Sequence, residues 1–273
     1  EEIFRIGKTL KNKAKRYYTV DNSIYENRKS AGNVIDKEAG ILNRGNLTRL
    51  KNFLNRAAQG ERLTVGFIGG SITQGFAATA PDKCYAARTV AWLRKVFPNT
   101  EFDYVNAGIG ATNSQFGAAR VQEDLLCRLP DLVMVEFSVN DHCTPHDMET
   151  YEGLIRQIYG SRSCPAMVLL HSVYYDTGKS AAYYHAQIGR HYDLPCISMQ
   201  NSIYPAVAAG RLPAEKITAD FLHPNDLGHE FMVAVIMNFL EKVIHDKTEE
   251  QQEIFPAPLT ENAYEHCARL QYF

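Results

Sequence analysis

Residues that could hydrolyse an ester stand in four short patches of the sequence. Ester hydrolysis by a serine requires a nucleophile, a base that takes its proton, a group that orients the base, and fixed donors for the oxyanion. All of these residue types occur in residues 69–71 (GGS), 106–113 (NAGIGATN), 138–141 (SVND) and 220–225 (DFLHPN). The sequence therefore predicts an acyl-transfer site assembled from separate segments.

Each patch supplies a different part of that chemistry. Ser71 is the candidate nucleophile, because it follows two glycines at the end of an apolar run that predicts a buried strand. His223 is the candidate base, and Asp220, three residues earlier, can fold back to hold the Nδ1 proton of its ring. The candidate oxyanion hole consists of the backbone N–H groups of Ser71 and the glycine loop, together with the side-chain amide of Asn140.

Other interpretations of these residues are weaker. A phosphate-binding loop at residues 66–75 is disfavoured, because the segment lacks G-x-x-x-x-G-K-[ST] and no G-x-G-x-x-G opens the next helix. A metal site at His223 and His229 is disfavoured, because these residues are six apart across a helix start with no cysteine nearby. Taken alone, Ser71 would be a turn serine and His223 a capping or surface histidine. Their combination favours catalysis.

Aromatic and acidic residues near the patches have two possible roles each. Tyr174 and Phe221 are candidate substrate-binding residues, because an aromatic ring can stack on a sugar, although packing is an equally common role. Tyr175 and Phe76 lie beside the predicted site and share these alternatives. Glu136 lies near the end of a core strand, where an isolated charge is costly, so we expect it in a buried ion pair. The candidate partner is Arg120.

Strand and helix patterns alternate around the patches. Strands are predicted at residues 64–68, 102–105, 132–137, 166–170 and 196–197, with helical patterns between them. The clearest helix has Leu227, Phe231 and Val235 at a spacing of four. Strict alternation predicts the α/β class, as a three-layer α/β/α sandwich with a flavodoxin-like, parallel, five-stranded sheet. The patches would then meet at the carboxyl edge of the sheet.

Three parts are expected along the chain: an N-terminal extension with a short helix (1–60), a catalytic domain (61–247), and a C-terminal tail or the start of a further domain (248–273). A formal net charge of −2 gives no electrostatic reason to expect nucleic acid or a membrane surface as a partner. Six scattered cysteines without a C-x-x-C pair argue against a disulfide scaffold and favour a cytoplasmic location. Because the chain begins with Glu1, secretion stays open.

Taken together, the sequences GGSIT, NAGIGATNS, VEFSVND and DFLHPND resemble the blocks of the SGNH (GDSL-type) hydrolase family, in the family's order from about Val65 to His223. The resemblance implies the SGNH fold, a triad of Ser71, His223 and Asp220, and an oxyanion hole that includes Asn140. It implies no metal and no organic cofactor. The oligomeric state is left open.

Three positions depart from the usual family pattern. Gly70 stands where many members have Asp, Val139 replaces a glycine, and Ala111 stands where many have glycine. Either Gly110 or Ala111 could supply the backbone donor, and Gly110 is favoured. These departures resemble a branch of carbohydrate esterases that remove acetyl groups from plant polysaccharide fragments. The implied function is a serine acetylesterase that acts on such oligosaccharides through an acyl-enzyme. The alternatives are a lipid esterase or thioesterase of the same fold, and a non-catalytic sugar-binding module.

Overall fold

The computed structural model describes residues 34–249 and 251–269 of the 273-residue chain. Its centre is a six-stranded sheet. The strands are β1 (Ile41–Asn43), β2 (Leu63–Gly69), β3 (Phe102–Gly108), β4 (Leu132–Glu136), β5 (Ala166–His171) and β6 (Cys196–Ser198). Their order across the sheet is β1-β6-β5-β4-β2-β3. Strands β2 to β6 are mutually parallel, and β1 is antiparallel to β6.

The predicted fold class is confirmed, but the predicted strand count of five is wrong by one. The five parallel strands have the flavodoxin-like order, in which the second strand lies at one edge and the first beside it. The additional strand β1 pairs Ile41 with Ile197 and Asn43 with Cys196. It has only three residues, too few for an alternating pattern to be recognisable in the sequence.

Helices cover both faces of the sheet. They are α1 (Thr48–Ala58), α2 (Ser71–Gln74), α3 (Tyr85–Val96), α4 (Ser114–Asp124), α5 (Pro145–Tyr159), α6 (Ala182–His191), α7 (Met199–Ser202), α8 (Tyr204–Ala208) and α9 (Asp226–Ile244). Apolar residues of α1, α3 and α9 form one core with the sheet, and those of α4, α5 and α6 form a second core on the other face. All five residues of β4 are buried, as expected for a central parallel strand.

The predicted outer parts of the chain contact the central domain where they are described. Residues 1–33 of the predicted N-terminal extension, and the aromatic end at residues 270–273, lie outside the described residues. Within the tail, the Phe255 ring stacks on Tyr159 of α5 at 4.9 Å between centroids. The Glu152 carboxylate of α5 accepts the backbone N–H groups of Leu259 and Thr260 at 2.6 and 2.8 Å. The three-part division itself stays a prediction.

All six cysteines are free thiols, two of them buried. In the described part of the chain, no helix has the length and apolar character needed to cross a membrane.

Candidate active site

The four polar patches meet at the carboxyl edge of the parallel strands. Gly70 and Ser71 follow β2, residues 109–113 follow β3, and residues 137–141 follow β4. The backbone N–H of Ile109 donates to the Gly69 carbonyl at 3.0 Å, which joins the second patch to the first. Residues 220–225 precede α9 and reach the same edge, where His223 Nε2 lies beside Ser71 Oγ.

The Ser71 hydroxyl is held on a sharp turn between a strand and a short helix. Ser71 is the first residue of α2 and is only 8% exposed, yet its Oγ lies 2.8 Å from His223 Nε2. Helix α2 ends after one turn at Gly75, which has a φ of 92°. Glycine is required there, because that conformation is unfavourable for other residues and an added Cβ would lie 2.7 Å from the Cys84 Cβ.

His223 is fixed in place by the start of α9 and by Asp220. The Asn225 side chain caps α9 by accepting the N–H groups of Leu227 and Gly228 at 3.0 and 3.1 Å. On the other side of His223, its Nδ1 lies 2.5 Å from Asp220 Oδ2. A carboxylate at this distance selects the tautomer with the proton on Nδ1, so Nε2 is free to accept the Ser71 proton.

Asp220 folds back on its own loop to reach the histidine. Its Oδ1 accepts the backbone N–H of His223 at 2.7 Å and that of Leu222 at 3.0 Å. The intervening Phe221 has a φ of 61°, a left-handed conformation that turns the loop. Partial burial raises the pKa of Asp220, but the hydrogen bonds from His223, Leu222 and Thr218 lower it by more. Its pKa is therefore well below the usual range, and the carboxylate stays ionised at neutral pH.

Asn140 lies against the turn that carries Ser71. A Cβ on Gly70 would lie 2.2 Å from Asn140 Oδ1, so these two residues are in close contact. The neighbouring Asp141 joins the third patch to the second, because its Oδ1 accepts the Ser114 N–H at 2.9 Å. Its Oδ2 lies 2.8 Å from Nε2 of His185, a buried histidine that the sequence did not single out.

The predicted donor Gly110 lies beside Ser71 but has a partner of its own. Its N–H donates to Gln74 Oε1 at 3.0 Å, and a Cβ on Gly110 would be 3.8 Å from the Ser71 Cβ. Gln74 lies three residues after the serine, on the same side of the helical turn. This spacing from Ser71 is the feature of the sequence that could have identified Gln74 as a residue of the site. The alternative donor, Ala111, has a left-handed φ of 58°.

The expected ion pair between Glu136 and Arg120 is wrong. Glu136 Oε1 accepts the N–H and the hydroxyl of Ser138 at 3.0 and 2.8 Å. Arg120 donates to Asp124 at 3.0 Å and to the Gly69 carbonyl at 3.2 Å. Burial raises the pKa of Glu136. Two hydrogen bonds from Ser138, rather than an opposite charge, compensate this buried group.

A cleft of about 1050 Å³ adjoins the site on the side of Asn140. The predicted Tyr174 lines it, and Tyr175 is buried instead. The predicted Phe221 lies outside this cleft, and the residue is 42% exposed. Polar side chains also line the cleft, among them those of Asn113, Asp176, Lys179 and Gln200.

The second histidine near the site, His229, has a packing role. Its ring stacks on Tyr85, and its Nδ1 accepts the Tyr85 N–H at 3.2 Å. Burial lowers its pKa to about 4, so it is neutral at physiological pH. Over residues 34–249 and 251–269, no group of three or more His, Cys, Asp or Glu side chains is arranged to hold a metal.

The chain is similar to solved structures of esterases. Two crystal structures of a two-domain esterase (CEX) active on acetylated mannans, one co-crystallised with mannopentaose, are 52% and 51% identical to it, with TM-scores of 0.84 and 0.83. The matches cover 85% and 87% of this chain but only 62% and 64% of those chains. A structure of an acetyl xylan esterase from Geobacillus stearothermophilus is 20% identical with a TM-score of 0.55, over 65% of this chain and 94% of that one, and supports the fold alone.

A search of curated proteins gave no match. The model of the GDSL-like lipase/acylhydrolase family matches residues 67–231, which is more than half of the sequence and contains all four patches. The resemblance to SGNH hydrolases is thereby confirmed, and the chain belongs to the GDSL-like lipase/acylhydrolase family.

Proposed function

We propose that the protein is a serine esterase that removes acetyl groups from carbohydrate through an acyl-enzyme, with acetylated mannan fragments as the favoured substrate. The observation that carries the proposal is the continuous chain from Ser71 Oγ to His223 Nε2 (2.8 Å) and from His223 Nδ1 to Asp220 Oδ2 (2.5 Å). Geometry of this kind lets the imidazole take the serine proton while the carboxylate stabilises the resulting cation.

In the first half of the proposed reaction, Ser71 Oγ attacks the ester carbonyl as its proton passes to His223 Nε2. The C–O bond to the leaving alcohol then breaks, and His223 returns the proton to the alcohol oxygen. In the second half, water attacks the acetyl-serine carbonyl and gives a proton to His223. The bond between Ser71 Oγ and the acetyl carbon then breaks, His223 returns the proton to Oγ, and acetic acid leaves and ionises to acetate.

The negative charge of each tetrahedral intermediate needs donors that are already in place. We assign this role to the N–H of Ser71, the side-chain amide of Asn140 and the N–H of Gly110. In the resting structure Gly110 donates to Gln74. An oxyanion is a stronger acceptor than a neutral amide oxygen, so it can take over this donor as the charge develops.

The proposed substrate class is supported by the cleft and by the relatives. Tyr174 offers an aromatic surface, whereas Asn113, Lys179 and Gln200 offer polar groups to hydroxyls. A long acyl tunnel for a lipid esterase would need a mainly apolar lining. The relatives at 51% and 52% identity are active on acetylated mannans, which favours mannan over other glycans.

Acetate release tests the proposal directly. The wild-type protein should release acetate from acetylated mannooligosaccharides much faster than it hydrolyses octanoyl esters. Ser71→Ala should abolish release, whereas Ser161→Ala, at the opposite edge of the sheet, should retain it. No acetate release above background from either wild type or Ser71→Ala, on any ester, would instead favour a non-catalytic sugar-binding module. Faster cleavage of octanoyl esters would favour a lipid esterase.

A further inference from the structure

An exposed aromatic side chain, Phe76, lies directly against the proposed base. The centroid of its ring is 4.6 Å from that of His223, with 62° between the two planes, and the residue is 57% exposed. A single exposed apolar side chain on a protein surface is ordinary and needs no functional reason. Phe76 differs from such side chains because it contacts His223, the proposed base of the triad.

The loop that carries Phe76 is fastened at both ends to elements of the site. At its start, the Phe76 N–H donates to the Ser71 carbonyl at 3.0 Å. At its end, the N–H and hydroxyl of Thr79 donate to the Asp226 carboxylate at 2.8 and 2.7 Å. Lys83 Nζ also donates to this carboxylate, at 2.8 Å. Asp226 lies three residues after His223, in the first turn of α9.

The backbone on both sides of Phe76 adopts a conformation that is rare for ordinary residues. Gly75 has a φ of 92° and Ala77 a φ of 67°. Alanine is unfavourable in the left-handed region, and such strain persists only where surrounding contacts impose it. The contacts of Ser71 and Asp226 thus hold the loop that carries Phe76, whose ring lies against His223 while the residue stays largely exposed to solvent.

The position of Phe76 matters because of where the leaving alcohol must be. His223 Nε2 must come within hydrogen-bond distance of the alcohol oxygen to return the proton. In a sugar ester, that oxygen is bonded either to a carbon of the sugar ring or to the exocyclic carbon next to the ring. The ring that bears the ester must therefore lie next to His223, and the half-exposed Phe76 ring contacts that imidazole.

We propose that Phe76 binds the sugar ring that carries the ester and so selects carbohydrate esters over esters of small alcohols. The C–H groups on one face of a pyranose are weakly positive and apolar, and they complement the negative face of an aromatic ring. This inference rests on the proposed function. It assigns the ester-bearing sugar to the side of the site where Phe76 contacts His223.

A comparison of two substrates separates this role from a simple effect on His223. Phe76→Ala and Phe76→Tyr would be assayed on acetylated mannooligosaccharide and on methyl acetate, whose leaving alcohol has no ring. We expect Phe76→Ala to lower the ratio of kcat/KM for oligosaccharide to that for methyl acetate by about tenfold, the effect of losing a good aromatic contact. Most of this change should be in KM, and Phe76→Tyr should retain the ratio.

Leu129→Ala is the control, because Leu129 is also exposed (49%) but precedes β4 at the opposite edge of the sheet. Equal losses on both substrates would show that Phe76 serves His223 alone, and no loss on either substrate would show that the ring does not contact sugar. Either result overturns the inference and leaves the esterase proposal standing. A wild-type protein that cleaves methyl acetate but no acetylated glycan would overturn the proposed function together with this inference.

Discussion

Gly70 and Asn140 approach each other so closely that residue 70 has no space for a side chain. A Cβ at this position would lie 2.2 Å from Asn140 Oδ1 and 2.8 Å from Cγ. In this chain the acid that many family members carry before the nucleophile would therefore displace Asn140. The contact with Asn140 accounts for glycine at position 70.

Substitution of Gly70 should therefore impair catalysis through Asn140. We expect Gly70→Ala to push the Asn140 amide away from the oxyanion and to lower kcat by about 10²-fold, the loss typical of one missing donor. Gly160→Ala is the matched control, because its Cβ would have ordinary contacts of 3.4 Å and longer. Steady-state kinetics on an acetyl ester would check this, and a fully active Gly70→Ala protein would contradict it.

Gln74 provides a test of the donor assigned to Gly110. Gln74→Glu would place a carboxylate where the amide oxygen now accepts the Gly110 N–H at 3.0 Å. A negative charge there competes for the donor and repels the oxyanion, so we expect kcat to fall by about tenfold or more.

Gln74→Ala removes the competing acceptor without adding charge, so it serves as the comparison. We expect its kcat to be much closer to that of the wild type. If Gln74→Glu were as active as Gln74→Ala, the oxyanion would form away from Gly110, and Ala111 would become the better candidate donor.

Local sequence patterns predicted the parallel sheet and the contact between Asp220 and His223, because both depend on features close together in the chain. Buried strands appear as short apolar runs, and Asp220 reaches His223 within one loop. Contacts between distant side chains could not be predicted in this way. Gly110 and Gln74 are 36 residues apart, and His185 lies 44 residues from its partner Asp141. Nothing in the local sequence indicates such pairs.

The buried Asp141–His185 pair should support both stability and the position of the Asn140 loop. Both side chains are fully buried 2.8 Å apart, and the His185 ring stacks on Tyr151 with 3.6 Å between centroids. His185→Phe would retain a ring on Tyr151 but leave the Asp141 carboxylate without this partner. We expect a loss of about 3–5 kcal/mol in unfolding free energy, as for other broken buried pairs.

Urea denaturation measured beside kcat would check both effects. His191→Phe, on the same helix but at a partly exposed position, should change stability much less. An unfolding free energy for His185→Phe equal to that of the wild type would contradict a supporting role for the pair.

Asp246 should make a pH-dependent contribution to stability by joining the end of α9 to α1. Its carboxylate is 7% exposed and lies 2.6 Å from Lys51 Nζ and 2.5 Å from Arg44 Nη2. Partial burial raises the pKa of Asp246, but hydrogen bonds from Lys51 and Thr248 lower it by more, so the folded pKa is well below the usual value. The contribution should be fully present above the unfolded pKa of about 3.9 and lost as the pH falls through the folded pKa.

Asp246→Asn should therefore have a lower unfolding free energy than the wild type at neutral pH, by about 2 kcal/mol. This value lies between those typical of exposed ion pairs and of fully buried ones. The difference should be the same at pH 7 and pH 6 and should shrink below about pH 4, because Asp246 of the unfolded wild-type chain then takes up a proton while the folded carboxylate is still ionised. Asp103→Asn is the control, since Asp103 pairs with Arg62 on the surface with 37% exposure and should matter little at either pH. Urea unfolding of the three proteins across this range would check the prediction. A difference between Asp246→Asn and the wild type that persisted undiminished at pH 3 would show that the lost contact is not one of charge.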